Sequence, residues 1–392
     1  MGRRHEFLAV TLPGLEDVMR EEIEELIGEA ARPAVPGKVR FSAEPEKAVE
    51  LVYGMRSANR ILLLVGEGEV DPSDLASVGG IAGGVEWSDY FDPDMTFAVR
   101  AERAGKHAYR SPEIAAEVGA AVVEHFLRRS GERIRANLKS PDVTVRAYVS
   151  GGVLLLGVDL VGESLHKRGY RVYQHPASLS PVVAYSLIRL TGWLAEVERD
   201  PSSPLVDPMC GGGTIPIEAA LAAKRIPPGT WRRAEGWPFR LLKPFRDLPI
   251  EEMLDRVDAQ ARPDFRPSIF ASDVSPKHVA GAARNAISAG VQDSITFSVF
   301  SAEFLPERVD RIGALSTNPP YELRTGRRRD VEAAFRGLAR ALARKLELKA
   351  SAILGGPALP KFERAMSALR LEERRAVRYG GVDAAILVYS RP

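Results

Sequence analysis

The sequence predicts an α/β carboxyl-terminal half preceded by two smaller α+β units. Three observations predict it. First, from about residue 176 onward, apolar strand-like runs alternate with helical stretches, the pattern of a mostly parallel sheet with helices on both faces. Second, before residue 165 the strand-like runs alternate with period two around single amphipathic helices. Third, 392 residues are more than one ordinary core organises. The expected division is 1–65, 66–165, a join over 166–180, and 176–392 carrying a basic insertion at 225–266.

The first 65 residues combine short strands with an acidic helix. Leu15, Val18, Met19, Ile23 and Leu26 recur at helical spacing and are expected in the core. In the second unit, TFAVRAER reads as a strand and SPEIAAEVGAAVVEHFLRRSG as a helix. Ser111 is the expected cap, Pro112 suits the first turn, and Gly131 lies past the end. Ile114, Val118, Ala121, Val122 and Phe126 form the expected buried stripe. In DVTVRAYV, Val143, Val145, Ala147 and Val149 point one way and Thr144, Arg146 and Tyr148 the other. SGG turns the chain and VLLLGVDL returns. In the carboxyl-terminal half the expected strands are PLVDPM, SIFASDV, ITFSVF, RIGALSTN, KASAILGG and VDAAILVYS.

Composition narrows the function classes. Hydrophobic residues are 45% and charged residues 27%, ordinary for a globular protein. No apolar run approaches the roughly 18 residues that a membrane helix needs, and MGRRHEFLAVTLPG reads as a first strand rather than a signal peptide. The single Cys210 excludes an intrachain disulfide and a multi-cysteine zinc site, so a reducing, cytoplasmic setting is expected. Asn and Gln total seven, which suits a high-temperature organism and makes each retained amide notable. The net charge is only +2 but uneven: residues 224–246 hold seven basic residues against Glu235. Basic clusters at Arg128, Arg129, Arg133 and Lys139, at Lys167 and Arg168 in the join, at Arg232 and Arg233 in the insertion, and at Arg324 and Arg327 fit a nucleic-acid footprint. Solvated surface charge is the plain alternative.

Two motifs carry chemistry. DPMCGGGTIPIEAALAAKR, 207–225, is a strand end, a glycine-rich turn and a helix start, where open α/β sheets bind ligands. Thr214 can cap the helix. The motif is neither GxGxxG nor a phosphate loop with its lysine, which disfavours nicotinamide or nucleoside triphosphate. Asp273 ends the next strand and can accept ribose hydroxyls, or it can simply cap the following helix. TNPPY, 317–321, ends a later strand. The Asn318 side-chain carbonyl and the outward carbonyl of Pro319 can accept both hydrogens of an exocyclic amine, which would orient its lone pair, and Tyr321 can stack on the base. A proline-marked strand exit is the structural alternative.

DPMCGGGT followed by TNPPY resembles the class I S-adenosylmethionine-dependent amino-group methyltransferases. The whole chain is similar to the THUMP-domain RNA guanine-N2 methyltransferases, and within them to the archaeal and bacterial enzymes acting at position six of the tRNA acceptor stem. RSPEIAAEVG, LHKRGYR, PASLSPVVAYSLI and SDVSPKHVAGAARNA complete the likeness. The resemblance implies ferredoxin-like and THUMP units before a Rossmann-like domain whose last strand runs antiparallel. It implies S-adenosylmethionine as methyl donor, no metal, tRNA as substrate, and a monomer. Ser178 and Leu179 would lie beside the methionine part. Asp207, Met209, Cys210, Gly211, Gly213 and Thr214 would cradle the cofactor, with Asp273 and Val274 at the ribose, Ser301 and Ala302 at the adenine, and Asn318 between cofactor and base. Two departures stand out: GGGT replaces the usual GSGT, and Ser301-Ala302 replaces an Asp-Ala pair, with Glu303 close enough to substitute. Ribosomal RNA guanine-N2 methylation is the alternative, as is a noncatalytic RNA-binding protein with a decayed cofactor site. DNA adenine and protein glutamine methyltransferases share NPPY, but the amino-terminal half argues against them.

Overall fold

The structure, a computed structural model, describes residues 3–321 and 328–392. The chain packs into two compact units. The first gathers the chain up to Thr11, Met19–Leu165 and Arg232–Arg256; the second gathers Leu12–Val18, His166–Trp231 and Val257–Pro392.

The first unit is built from β1 (His5–Val10), α1 (Glu16–Ile27), β2 (Ala31–Pro33), β3 (Lys38–Ala43), α2 (Pro45–Gly54), β4 (Arg60–Glu69), α3 (Ala76–Gly83), β5 (Thr96–Ala104), α4 (Ser111–Ser130), β6 (Arg135–Ala136), β7 (Val143–Ser150) and β8 (Val153–Asp159). Its strands form one eight-stranded sheet, ordered β2-β3-β1-β4-β8-β7-β5-β6. The antiparallel β4–β8 pair fuses the two α+β units that the sequence suggests into that single sheet. The stripe Ile114, Val118, Ala121, Val122 and Phe126 is buried as its 3.6-residue period requires.

Three local expectations are corrected here. Leu26 is exposed and Ile27 is buried, because the helical step from Ile23 falls at i+4. Arg110, not Ser111, precedes α4, and the Glu113 carboxylate accepts its backbone N–H at 2.6 Å. Tyr148 is buried against Leu8, Leu62 and Leu155, so β7 has apolar contacts on both faces.

The second unit contains α5 (Pro181–Thr191), α6 (Trp193–Arg199), β9 (Leu205–Asp207), α7 (Thr214–Ala223), α8 (Ile250–Asp258), β10 (Ile269–Asp273), α9 (Pro276–Ser288), β11 (Ile295–Val299), α10 (Leu305–Arg308), β12 (Ala314–Thr317), α11 (Arg328–Lys345), β13 (Ala350–Gly355), α12 (Leu359–Ala365), β14 (Arg370–Tyr379) and β15 (Val382–Ser390), with most of α8 belonging to the first unit. The sheet order is β11-β10-β9-β12-β13-β15-β14. The five strands from β11 to β13 in that order are parallel, and β15 runs antiparallel to both its neighbours. Strands β9, β12 and β13 lie inside the sheet and are buried along their length, as helices on both faces demand. Strand β14 has no expected counterpart. It is an edge strand rich in Arg and Glu, and it lacks the apolar run that marks the others.

Candidate active site

The order β11-β10-β9-β12 brings four strand tips side by side at the carboxyl edge of the sheet. The strand order reverses there, between β9 and β12. That switch is where parallel sheets leave a crevice, since neighbouring connections depart to opposite faces. Every sequence-predicted cofactor residue from Asp207 to Asn318 sits on or just after one of these tips.

Asp207 ends β9 and is fully buried. Its Oδ1 accepts from the Thr317 hydroxyl at 2.9 Å and from Met209 N at 3.2 Å. Burial pushes its carboxyl up to about 7, against the pull of those two donors. The Thr317 bond ties the glycine turn to the residue before Asn318. The buried Cys210 thiol is likewise pushed far up by burial, with Asp207 and Asp273 adding to the effect, so it is neutral. Cys210 N donates to Ser272 O on β10 at 2.9 Å.

The glycines are needed for more than ligand access. Gly211 and Gly213 have φ of 52° and 81°. A Cβ on Gly213 would lie 2.9 Å from Ala282 Cβ, and one on Gly212 would lie 3.0 Å from His175 Cβ. A side chain at Gly212 would press on His175, from the join, so glycine suits the turn as this chain packs it. Thr214 does not cap α7; Gly213 does, and the buried Thr214 hydroxyl accepts from Arg171 Nη2 at 3.1 Å.

Asp273, at the tip of β10, accepts from Gly211 N at 3.0 Å and Ser275 N at 2.9 Å, with His278 Nδ1 3.5 Å away. The cap of α9 is Ser275, whose hydroxyl accepts from His278 N at 3.4 Å. Capping is thus done by a neighbour, and Asp273 faces the glycine turn. Val274 is exposed and Ala302 buried. The Ser301 hydroxyl accepts from Glu303 N at 3.3 Å. Ser178 donates to His175 O at 2.8 Å, and Leu179 turns its side chain into the core.

Asn318 leaves β12 with its Oδ1 buried and without a hydrogen-bond partner among the described residues. Pro319 is buried. The Tyr321 ring is half-buried and close-packed on Gly355, where an added Cβ would lie 3.2 Å from its Cδ2. Its hydroxyl is also buried without a partner among the described residues, and burial raises its pKa, with Tyr379 adding to the shift.

Sequence reasoning missed the residues that hold this edge together. Arg171 also donates to Leu179 O. Asn285, buried on α9, accepts from Tyr173 N at 2.7 Å and donates to Tyr173 O at 3.1 Å and Gly212 O at 2.9 Å. The scarcity of amides was the available signal for it. Among the predicted RNA contacts, two are corrected. Arg168 is buried against Glu218, Nε to Oε1 3.2 Å, beside Tyr170. Arg232 is buried, donating to Glu163 O at 2.7 Å and Val161 O at 2.9 Å and lying over the Trp237 ring. Both guanidiniums serve the fold. Arg233 is engaged by Glu251 and Asp255. Arg128, Arg129, Arg133, Lys139 and Lys167 are exposed, and Arg324 and Arg327 lie outside the described residues.

Residues 168–384 match the RMKL-like methyltransferase domain, more than half of the chain. The chain belongs to the RMKL-like methyltransferases. Residues 73–159 match the THUMP domain and 6–62 the RlmL ferredoxin-like domain. A relative from Archaeoglobus fulgidus, named a tRNA (guanine(6)-N2)-methyltransferase, is 32% identical over 98% of this chain and 91% of its own length. The Ribosomal RNA large subunit methyltransferase K/L of Pseudoalteromonas atlantica is 33% identical over 81% of this chain but 44% of its own. A solved methyltransferase structure complexed with SAH shares the fold, with 22% identity, a TM-score of 0.82, and 100% of this chain and 99% of that chain covered. In this RMKL-like methyltransferase the four strand tips all lie within the matched domain. No described helix is long and apolar enough to cross a membrane.

Proposed function

We propose that this RMKL-like methyltransferase moves a methyl group from S-adenosylmethionine to the exocyclic N2 amine of a guanosine in tRNA, at position six of the acceptor stem, acting as a monomer in the cytoplasm. The observation that carries the reading is the Oδ1 of Asn318, buried and without a hydrogen-bond partner among the described residues, next to the Thr317 that bonds to Asp207. A buried acceptor left unpaired costs about 1–3 kcal/mol, a cost that makes sense if a substrate donor completes it. The full-length likeness to a tRNA (guanine(6)-N2)-methyltransferase supports the choice of RNA and base. The ribosomal relative supports the alternative less, because it matches over under half of its length.

The residues present fit the cofactor: an acid at the second strand tip, a backbone turn with left-handed glycines, and an orphan acceptor at the fourth tip. Ser178, Asp207 to Thr214, Asp273 and Val274 would hold it, with Ser301 and Ala302 at its base. When bound, S-adenosylmethionine supplies an electrophilic methyl on a positively charged sulfur. Asn318 Oδ1 and Pro319 O accept the two hydrogens of the guanine amine and so orient the nitrogen lone pair. Tyr321 supports the flipped base, and its hydroxyl stays protonated because burial raises its pKa.

The test incubates the protein with labelled S-adenosylmethionine and unmodified tRNA or ribosomal RNA and maps the methylated nucleotide. N2-methylguanosine at position six of tRNA is the expected product. Label confined to ribosomal RNA would replace this reading with the alternative, and an absence of both label transfer and S-adenosylhomocysteine binding would mean a decayed site.

A further inference from the structure

Helix α11 carries an arginine row that the site above does not use. Its inner side is Phe335, Leu338, Ala341 and Leu342, all buried. Its outer side exposes Arg329, Arg336, Arg340 and Arg344. At 3.6 residues per turn these four fall within about 80° of one another around the helix and extend about 22 Å along it. Elsewhere this chain sets opposite charges at helical spacing, as in Arg20 with Glu24 and Arg128 with Glu124. On α11 the successive i,i+4 positions 336, 340 and 344 are all arginine. Each such pair opposes the helix rather than supporting it.

Counter-ions do not relieve the repulsion. Among the described residues no carboxylate lies within ion-pair distance of Arg336, Arg340 or Arg344, and Arg340 has only the Glu303 carbonyl at 3.4 Å. Glu332, on the flank, is held by Lys361 at 2.6 Å. The exposed Arg311 shows the contrast, engaged by Asp200 at 3.0 Å and Glu347 at 2.8 Å. The row also has a defined place. It begins eleven positions after Asn318. It then passes the 301–304 turn, which α11 abuts so closely that a Cβ on Gly337 would lie 2.3 Å from Glu303 O.

We propose that Arg336, Arg340 and Arg344, continuing from Arg329, form a phosphate-binding track that leads the RNA backbone away from the active-site edge along the outside of α11; this rests on the RNA methyltransferase reading. A row of exposed, uncompensated guanidiniums fits a polyanion with regularly spaced phosphates, and it reads no sequence.

The test uses the full-length protein and the Arg336→Gln/Arg340→Gln/Arg344→Gln variant. It measures the Kd for an unmodified tRNA transcript across a salt series, the affinity for S-adenosylhomocysteine, and the melting temperature. The variant should bind the transcript about tenfold more weakly, and its log-log salt slope should be shallower by roughly two to three, close to one per lost phosphate contact. S-adenosylhomocysteine affinity should hold, and melting should stay equal or rise as repulsion is removed. An unchanged Kd and slope beside a wild type that binds and methylates the transcript would overturn the track alone. Weaker RNA binding accompanied by lower melting and lost S-adenosylhomocysteine affinity would also overturn it, as a structural effect. A wild type that neither binds nor methylates any RNA would fail the functional reading itself, and the track with it.

Discussion

Asp207 and Asp273 are one strand apart yet play opposite parts. Asp207 is sealed in, and burial raises its folded pKa from 3.8 to about 7. A raised carboxyl means the folded state binds its proton more tightly than the unfolded chain does. Its penalty is therefore absent below pH 4, grows as pH rises, and is complete above 7. Asp207→Asn keeps the acceptor for Thr317 and Met209 without the charge. It should flatten the fall in stability between pH 4 and 7 and raise melting at pH 8, with an upper bound of roughly 4 kcal/mol. Melting curves of both proteins from pH 4 to 8 check this, and equal slopes would mean Asp207 is already neutralised some other way. Asp273, less deeply buried, keeps acceptor capacity at the turn. Asp273→Ala should weaken S-adenosylhomocysteine binding by about 2–3 kcal/mol by calorimetry, with RNA affinity nearly unmoved. At this scale much was legible: Asp207, Asp273 and Asn318 all stand at strand tips because strand ends show as apolar runs stopped by a polar residue. Arg168 and Arg232 were misread because a sequence displays charge but not the buried Glu218 or backbone carbonyls that absorb it.

Among the elements, the join 166–180 does more than connect. Arg171, Tyr173 and His175 each reach the glycine turn or the helix behind it. Asn285 is the knot: truncating it leaves Tyr173 N, Tyr173 O and Gly212 O without a partner. Asn285→Ala should lower stability by about 2–3 kcal/mol and weaken cofactor binding with it, as denaturant melts and calorimetry would record. If cofactor affinity survives the loss of stability, the turn does not depend on this tether. Such long-range polar links leave no periodic trace, so they were invisible beforehand. Strand β14 was missed for a related reason. At a sheet edge, Arg and Glu stay solvated and block pairing with other chains, which erases the strand signature.

On the scale of the whole molecule, the chain leaves the catalytic sheet after Trp231 and contributes residues 232–256 to the first unit. There Phe245 packs on Phe7 and Phe239, and Lys243 and Arg246 pair with Asp92. A fragment starting at residue 166 would carry Trp237, Phe239, Leu242 and Phe245 with no core to bury them. It should aggregate or melt early, and replacing 232–256 with a short polar linker should restore solubility; a well-behaved unmodified fragment would contradict this. The basic, aromatic composition of 225–266 set that stretch apart from the strands and helices around it, and the structure gives 232–256 of it to the first unit. The composition gave no sign of which unit would own it, because amphipathic segments advertise burial and not the partner.

The most direct measurement is the single-turnover rate of methyl transfer by Asn318→Ala on unmodified tRNA, read beside its melting temperature and its affinities for tRNA and S-adenosylhomocysteine. If Asn318 orients the guanine amine, the rate falls by a factor of about a hundred or more while both affinities hold and melting stays equal or rises, since a buried acceptor with no partner among the described residues has been removed. A well-folded Asn318→Ala protein that transfers methyl at the wild-type rate would contradict it.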